Sequence, residues 1–315
     1  MTQVNLRNLV QLDETDKFMR QGMSIEKALT ILNRQMKVSG LRERTIKDYN
    51  LYTKDFCLVT GATHLSDVSL EKIYDWLDTM NISNTSKLIK LKSLKSILGK
   101  CFDNGWIETK FWTVIKIKVD KNVKKGAKRD EINILLSLLD LNTFVGLRDA
   151  VAVLTMYTTG VRINTLEQIE EKHIDLDKLM FTLDGSILKN HKLLQLPISE
   201  NLAQLLQVLM QQNDNIRKKH NQSNNFLFIT QQGTMLKSKS NNNTISKQLN
   251  KYAHEFGLEN INAHAIRRGY AKNLLDKGAN IALISKALGH SNLAVTTQYL
   301  DLDVEEVATN LREYL

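Results

Sequence analysis

The chain has 315 residues, with 43 Lys and Arg against 34 Asp and Glu, a formal charge of +9 and a pI near 9.3. That length accommodates two domains with separate cores, and the basic balance favours a polyanionic partner, nucleic acid being the usual one. No apolar run approaches the ~20 residues that cross a bilayer, and the first residues lack a cationic start before an apolar core, which argues against a membrane span and a secretory signal.

Cys57 and Cys101 each sit in an apolar helical pattern and outside any CxxC pair, so both are expected to be reduced core residues of a cytoplasmic protein. A single proline, Pro197, and 14 glycines point to a mainly helical chain.

Residues 1–22 carry Arg7, Arg20 and little periodicity, as an N-terminal arm would. From Ser24, a candidate N-cap, the apolar stripe Ile25, Ala28, Leu29, Leu32, Met36 predicts a first helix that stops before Gly40. A second begins near Arg44, with Ile46, Tyr49, Leu51, Tyr52, Phe56 and Val59 as its buried side, and ends at Gly61. A third runs from Leu70 to Met80 behind Ser69, with Ile73, Trp76 and Leu77 on one face. The fourth spans Ser86 to Asp103, with Leu88, Leu91, Leu94, Leu98, Cys101 and Phe102 facing inward. Its lysines 87, 90, 92, 95 and 100 meet no acid before Asp103, and a solvated face competes there with phosphate contact through Lys87, Lys90 and Lys95.

These elements define a helical domain over residues 23–115. A basic linker follows over 116–130, in which Lys124, Lys125 and Lys128 are candidate DNA contacts, against the alternative of a plain tether. A second domain is expected over 131–302. It opens with helices at Glu131 to Asp140 and Leu147 to Thr158, the latter apolar almost all round and hence central. Gly160 then breaks the helix, and Arg162 stands at the start of the next, where a helix N-terminus and a guanidinium attract the same anions.

From Leu179 the period changes to strands: LMFTL, a turn at Asp184-Gly185, SILK, a turn at Asn190-His191, and KLLQLPI. Lys189 sits at the rim of the second turn, with Lys192 as its competitor. Helices are expected again at Asn201 to Asn213 and Thr244 to Phe256, around an apolar island at Phe226 to Ile229. The fold expected is therefore mainly α with a small antiparallel β-sheet. A last amphipathic helix, residues 303–315, carries Val304, Val307, Ala308, Leu311 and Leu315 on a face that needs a partner in its own domain or in a neighbouring protomer.

The stretch from Asn262 to Leu300 concentrates the chemistry. His264 and Arg267 lie three apart on one helix face, His290 follows a glycine, and Tyr299 comes nine residues later. Two imidazoles, a guanidinium and a phenol are what an enzyme gathers to let a tyrosine attack a phosphodiester. The remaining histidines, His64, His173, His191, His220 and His254, show no metal-ligand spacing.

Taken in order, TGVR at 159–162, the hairpin Lys189, HAIR at 264–267, LGH at 288–290 and Tyr299 resemble the motifs of the tyrosine recombinase, or phage integrase, family. The resemblance covers roughly residues 24–302. It implies a core DNA-binding domain and a catalytic domain that close around double-stranded DNA, with no metal or other cofactor. Tyr299 would attack a scissile phosphate to form a 3′-phosphotyrosyl bond, Arg162 and Arg267 would hold the non-bridging oxygens, and His264 would assist proton transfer at the tyrosine. His290 would hydrogen-bond the phosphate, and Lys189, eight residues before Pro197 as in the family's hairpin, would protonate the departing 5′-oxygen.

The resemblance further implies a homo-oligomer on DNA, a tetramer in the synapse, and accessory factors that set direction. The sequence departs from the family pattern at Ala263, at Thr165, where an acid is frequent, and at Arg268 and Gly269, which replace the usual His and Ser or Thr. A non-catalytic DNA-binding regulator on the same fold is the competing expectation.

Overall fold

A computed structural model describes residues 22–119, 124–188, 191–236, 244–290 and 292–300. The chain divides into two compact units, Met1–Lys121 and Asn122–Leu315.

In the first unit, α1 (Ile25–Val38), α2 (Glu43–Thr60), α3 (Leu70–Asp78) and α4 (Asn84–Asp103) enclose one core. Ser24, Ser69 and Ser83 each accept an otherwise unpaired N–H at the start of α1, α3 and α4. Gly61 ends α2 in the left-handed region at φ 66°. Phe56 and Trp76 meet edge to face at 5.7 Å in the centre of this core.

The inward face of α2 is Ile46, Thr53 and Phe56. Leu51 and Val59, expected inside, lie off that stripe and are 59% and 44% exposed. Cys101 is buried, and burial pushes its thiol up to about 12, whereas Cys57, expected in the core, is only half-buried.

The second unit is built round α6 (Phe144–Thr159), whose Ala150, Val151, Ala152, Val153 and Met156 are all buried. Around it lie α5 (Arg129–Leu138), the short α7 (Ile163–Leu166), α8 (Glu200–Lys219), α9 (Thr244–Glu255) and α10 (Ala263–Asp276). Helices α11 (Ile281–Ala287) and α12 (Leu293–Leu300) follow. The nearly all-apolar α6 also carries a buried ion pair: Arg148 binds Asp149 at 2.7 Å and donates to the Ile229 carbonyl, while the Tyr252 hydroxyl donates to Asp149 at 2.9 Å. Each charge is thus hydrogen-bonded, which is what makes its burial tolerable.

The sheet is antiparallel in the order β1 (Ile174–Asp175), β2 (Met180–Leu183), β3 (Leu194–Pro197). The SILK strand expected between the last two is absent among the described residues. Asp184 instead accepts the backbone N–H of Ser186 at 2.8 Å and also its hydroxyl, which turns the chain before a strand can extend. His173, itself buried, holds the other Asp184 oxygen at 3.1 Å. The helix expected at 201–213 continues to Lys219, because Asn213 and Arg217 are buried against Leu227 and Phe226 rather than exposed.

Residues 124–130 also differ from a free linker. Ala127 lies in the core of the second unit and its N–H bonds the Ala265 carbonyl at 2.8 Å, and Glu131 closes on the Lys128 N–H as α5 begins. Residues 1–21 of the arm, residue 189 and the helix expected over 303–315 lie outside the described residues.

Candidate active site

Gly160 ends α6 at φ 65°, and a Cβ there would come 2.2 Å from the Tyr270 ring, so only glycine lets the chain turn this close to α10. The turn delivers Arg162 to the N-cap position of α7. Asn262 caps α10 through the Ala265 N–H, which sets His264 in the first turn and Arg267 one turn on. After α11 the chain passes Gly289 at φ 59° to place His290, and α12 brings Tyr299 back against it.

Arg267 is the centre of the arrangement. It is 3% exposed, and its Nη groups donate to the carbonyls of Gly160 and Leu288. Its Nη2 also lies 3.2 Å from His290 Nε2, and its Cζ lies 6.0 Å from the Tyr299 ring centroid. The Tyr299 and His290 rings meet at 5.0 Å and 72°. Arg162 reaches the same place through Nη1, which donates to the Leu288 carbonyl at 3.3 Å. Burial lowers both guanidinium groups from their ordinary values; Arg162 lowers Arg267 further, and Tyr299 works in the opposite sense on each.

No carboxylate among the described residues is paired with either arginine, and Arg267 Nε is buried with no acceptor. Two converging cations with unspent donors and no anion of their own make a site for an external one.

The histidines are tuned toward neutrality. His290 falls to about 4, first through burial and then through Arg267 and Arg162. His264, although exposed, is lowered by partial loss of surrounding water and by Arg268, Arg267, Lys124 and Arg162. A neutral imidazole beside cations can accept a proton from a phenol.

Four residues singled out in the sequence, Arg162, Arg267, His290 and Tyr299, thus meet around the Leu288 carbonyl and the His290 ring. His264 stands at the edge of this group, within the field of both arginines, and Lys189 lies outside the described residues.

Thr165 does not pair with Arg162. It is buried, and its hydroxyl donates to the Ile187 carbonyl at 3.3 Å, tying α7 to the turn after β2. Arg268 and Gly269 hold the segment that precedes α5. Arg268 donates twice to the Lys125 carbonyl, at 3.0 and 2.8 Å, and a Cβ on Gly269 would meet the Ala127 carbonyl oxygen at 2.4 Å. Lys124, Lys125 and Lys128 are consequently exposed along a groove of about 540 Å³ that also reaches Arg268 and Tyr299.

Residues 127–306 match the phage integrase family. The chain belongs to that family, the tyrosine recombinases. It is similar to the tyrosine recombinase XerC of Chlamydia caviae, 27% identical over 233 residues, 73% of this chain and 72% of that one. It is also similar to the tyrosine recombinase XerA of Pyrococcus horikoshii, 27% identical over 265 residues, 84% of this chain and 85% of the relative. Among solved structures the fold is shared with the Tn1549 transposon integrase in complex with transposon right end DNA, at a TM-score of 0.71 and 15% identity, covering 91% of this chain and 99% of that one.

Within this tyrosine recombinase, sequence reasoning overlooked Thr296 and the Leu288 carbonyl. Thr296 is fully buried and lies 2.9 Å from His290 Nδ1. Its place three residues before Tyr299, on the same face of α12, was the available signal. A backbone carbonyl leaves no signal in a sequence.

In the first unit, two of the lysines proposed for phosphate contact are already engaged. Lys90 pairs with Asp55 at 3.2 Å beside the Tyr52 ring, and Lys95 donates to the Ile115 carbonyl at 2.7 Å, its pKa lowered by burial. Lys87 is half-buried near the start of α4.

Proposed function

We propose that this recombinase cuts and rejoins double-stranded DNA at specific sites through a 3′-phosphotyrosyl intermediate on Tyr299. The observation that carries the reading is Arg267: a buried guanidinium without a carboxylate partner, beside a second arginine, a neutral histidine and a tyrosine. Tyr299 Oη would bond to phosphorus while its proton passes to His264. The phosphorus to O5′ bond would break, with Lys189 giving that oxygen a proton. Arg162 and Arg267 would hold the non-bridging oxygens and stabilise the added negative charge of the pentavalent state. The phosphotyrosyl bond keeps the energy of the broken one, so rejoining by a 5′-hydroxyl needs no nucleotide.

In the same reading residues 23–115 form the core DNA-binding domain and 131–302 the catalytic domain, and Lys124, Lys125 and Lys128 contact phosphates. Lys87, Lys90 and Lys95 do so only where their present partners release them. The protein acts in the cytoplasm as a homo-oligomer on DNA, a tetramer in the synapse, with residues 303–315 exchanged between protomers and an accessory factor setting direction. DNA as the substrate is supported by similar structures described with it, including a lambda integrase dimer bound to a COC′ core site.

A nicked duplex that loses a short 5′-hydroxyl fragment on cleavage tests the proposal. A covalent adduct on a denaturing gel, lost in Tyr299→Phe, supports it. Specific binding with no adduct overturns it in favour of a DNA-binding regulator, a reading favoured only by the engagement of Arg267 with the Gly160 and Leu288 carbonyls.

A further inference from the structure

Thr296 and Arg267 face the two nitrogens of His290 from opposite sides, and together they dictate where its proton sits. Arg267 Nη2 is 3.2 Å from Nε2, and a guanidinium can only donate. Nε2 therefore offers its lone pair. The neutral ring then carries its one proton on Nδ1, which donates to Thr296 Oγ1 at 2.9 Å. The other charged or titratable groups around the ring are Arg162, from the loop before α7, and Tyr299, from α12. Neither offers a fixed acceptor that would hold a proton on Nε2.

In this tautomer His290 cannot donate from Nε2 to a phosphate oxygen, although Nε2 is the nitrogen that faces Arg267. We propose that Thr296 is a positioning residue that lets His290 exchange tautomers as the cleft fills. When Arg267 turns its Nη2 hydrogen to a phosphate oxygen, Nε2 takes up a proton from water, and the ring releases its Nδ1 proton to water as the Thr296 contact momentarily parts, with no change in net charge. The Thr296 hydroxyl rotates from accepting to donating. A hydroxyl is suited to this because it serves either role, whereas a carboxylate or backbone carbonyl in its place would only accept and would lock the proton on Nδ1.

Burial makes the device consequential. Thr296 is fully enclosed, so no water can replace its hydroxyl, and its position on α12 fixes it relative to Tyr299, whose ring lies 5.0 Å from that of His290. The filled state rests on the phosphoryl-transfer reading above; the resting tautomer does not.

The test uses the full chain labelled with ¹⁵N-histidine and long-range ¹H–¹⁵N correlation at pH 7, with inorganic phosphate as the probe. Free wild type and Thr296→Ser are expected to show His290 protonated at Nδ1, moving to Nε2 as phosphate saturates. Thr296→Val, whose folding is checked by circular dichroism, is expected to weaken the resting preference, which Arg267 alone then sets, and to lose the response. It should also form the DNA adduct about ten-fold more slowly, while Thr296→Ser stays near wild type.

An Nε2-protonated His290 in the free wild type would overturn the proposal. So would a Thr296→Val protein with the wild-type tautomer in both states. Phosphate that perturbs no residue of the cleft would count against the phosphoryl-transfer reading, and the resting tautomers of the three proteins would still decide the role of Thr296.

Discussion

Arg162 and Arg267 donate to the same oxygen, the carbonyl of Leu288, from two segments of the second unit far apart in sequence. The LGH tripeptide thereby acts first through its backbone: its leucine carbonyl gathers the two cations, and its histidine follows two residues on. Like charges stay together here because each shares an acceptor that is neutral yet strongly polar.

Replacing either arginine with lysine keeps the charge and loses the fork. Arg162→Lys and Arg267→Lys are expected to slow adduct formation by roughly 10² or more, the size of effect seen when a single transition-state donor is removed. DNA affinity should change far less. Single-turnover cleavage alongside an equilibrium binding assay separates the two, and a loss confined to binding would contradict the assignment.

How much of this was open to sequence reasoning depends on the range of the interaction. His264 with Arg267, and His290 with Tyr299, are close in the chain, so helical spacing exposed the first pair and the nine-residue offset of the family motif the second. The helices of both units followed from apolar stripes and serine or asparagine caps. What failed involved groups distant in sequence or in the backbone: Lys95 looks like a free cation until Ile115 is seen to accept from it. SILK has strand-like composition, yet the Asp184 side chain captures Ser186 and bends the chain instead. Arg268 and Gly269 read as losses from a motif. In the structure they hold residues 125–127 against α10.

That clasp makes a second prediction. Gly269→Ala would drive a methyl into the Ala127 carbonyl, and overpacking of this kind costs about 1–3 kcal/mol. Urea denaturation should show the loss, and limited proteolysis should show faster cutting between Lys124 and Arg129. Unchanged stability together with unchanged cutting would mean that the segment is not held by this contact.

The exposed lysines on the clasped segment should show in salt dependence. Replacing Lys124, Lys125 and Lys128 with alanine is expected to lower the slope of log affinity against log salt by roughly 0.9 for each phosphate contact removed. Lys95→Ala should leave the slope nearly unchanged and instead lower stability, because its ammonium holds the Ile115 carbonyl. An unaltered slope in the triple variant would remove the segment from the contact surface.

His290 links folding to pH. Its folded value of about 4 is below the ordinary 6.5, so the unfolded chain binds the extra proton first as pH falls. The stability contributed by the neutral ring is complete above 6.5 and is lost as pH drops toward 4. His264 acts in the same direction. A His290→Asn variant should therefore show a shallower fall in urea midpoint between pH 7 and 5 than wild type; equal falls would contradict the assigned environment.

In this reaction Tyr299 is expected to become joined to DNA. The direct measurement is to trap the protein on a nicked duplex, digest the denatured product with trypsin and nuclease, and locate the nucleotide by mass spectrometry. One modified peptide is expected, carrying a 3′-nucleotide phosphate on Tyr299. A modified residue other than Tyr299, or tight specific binding with no modified peptide, would contradict it.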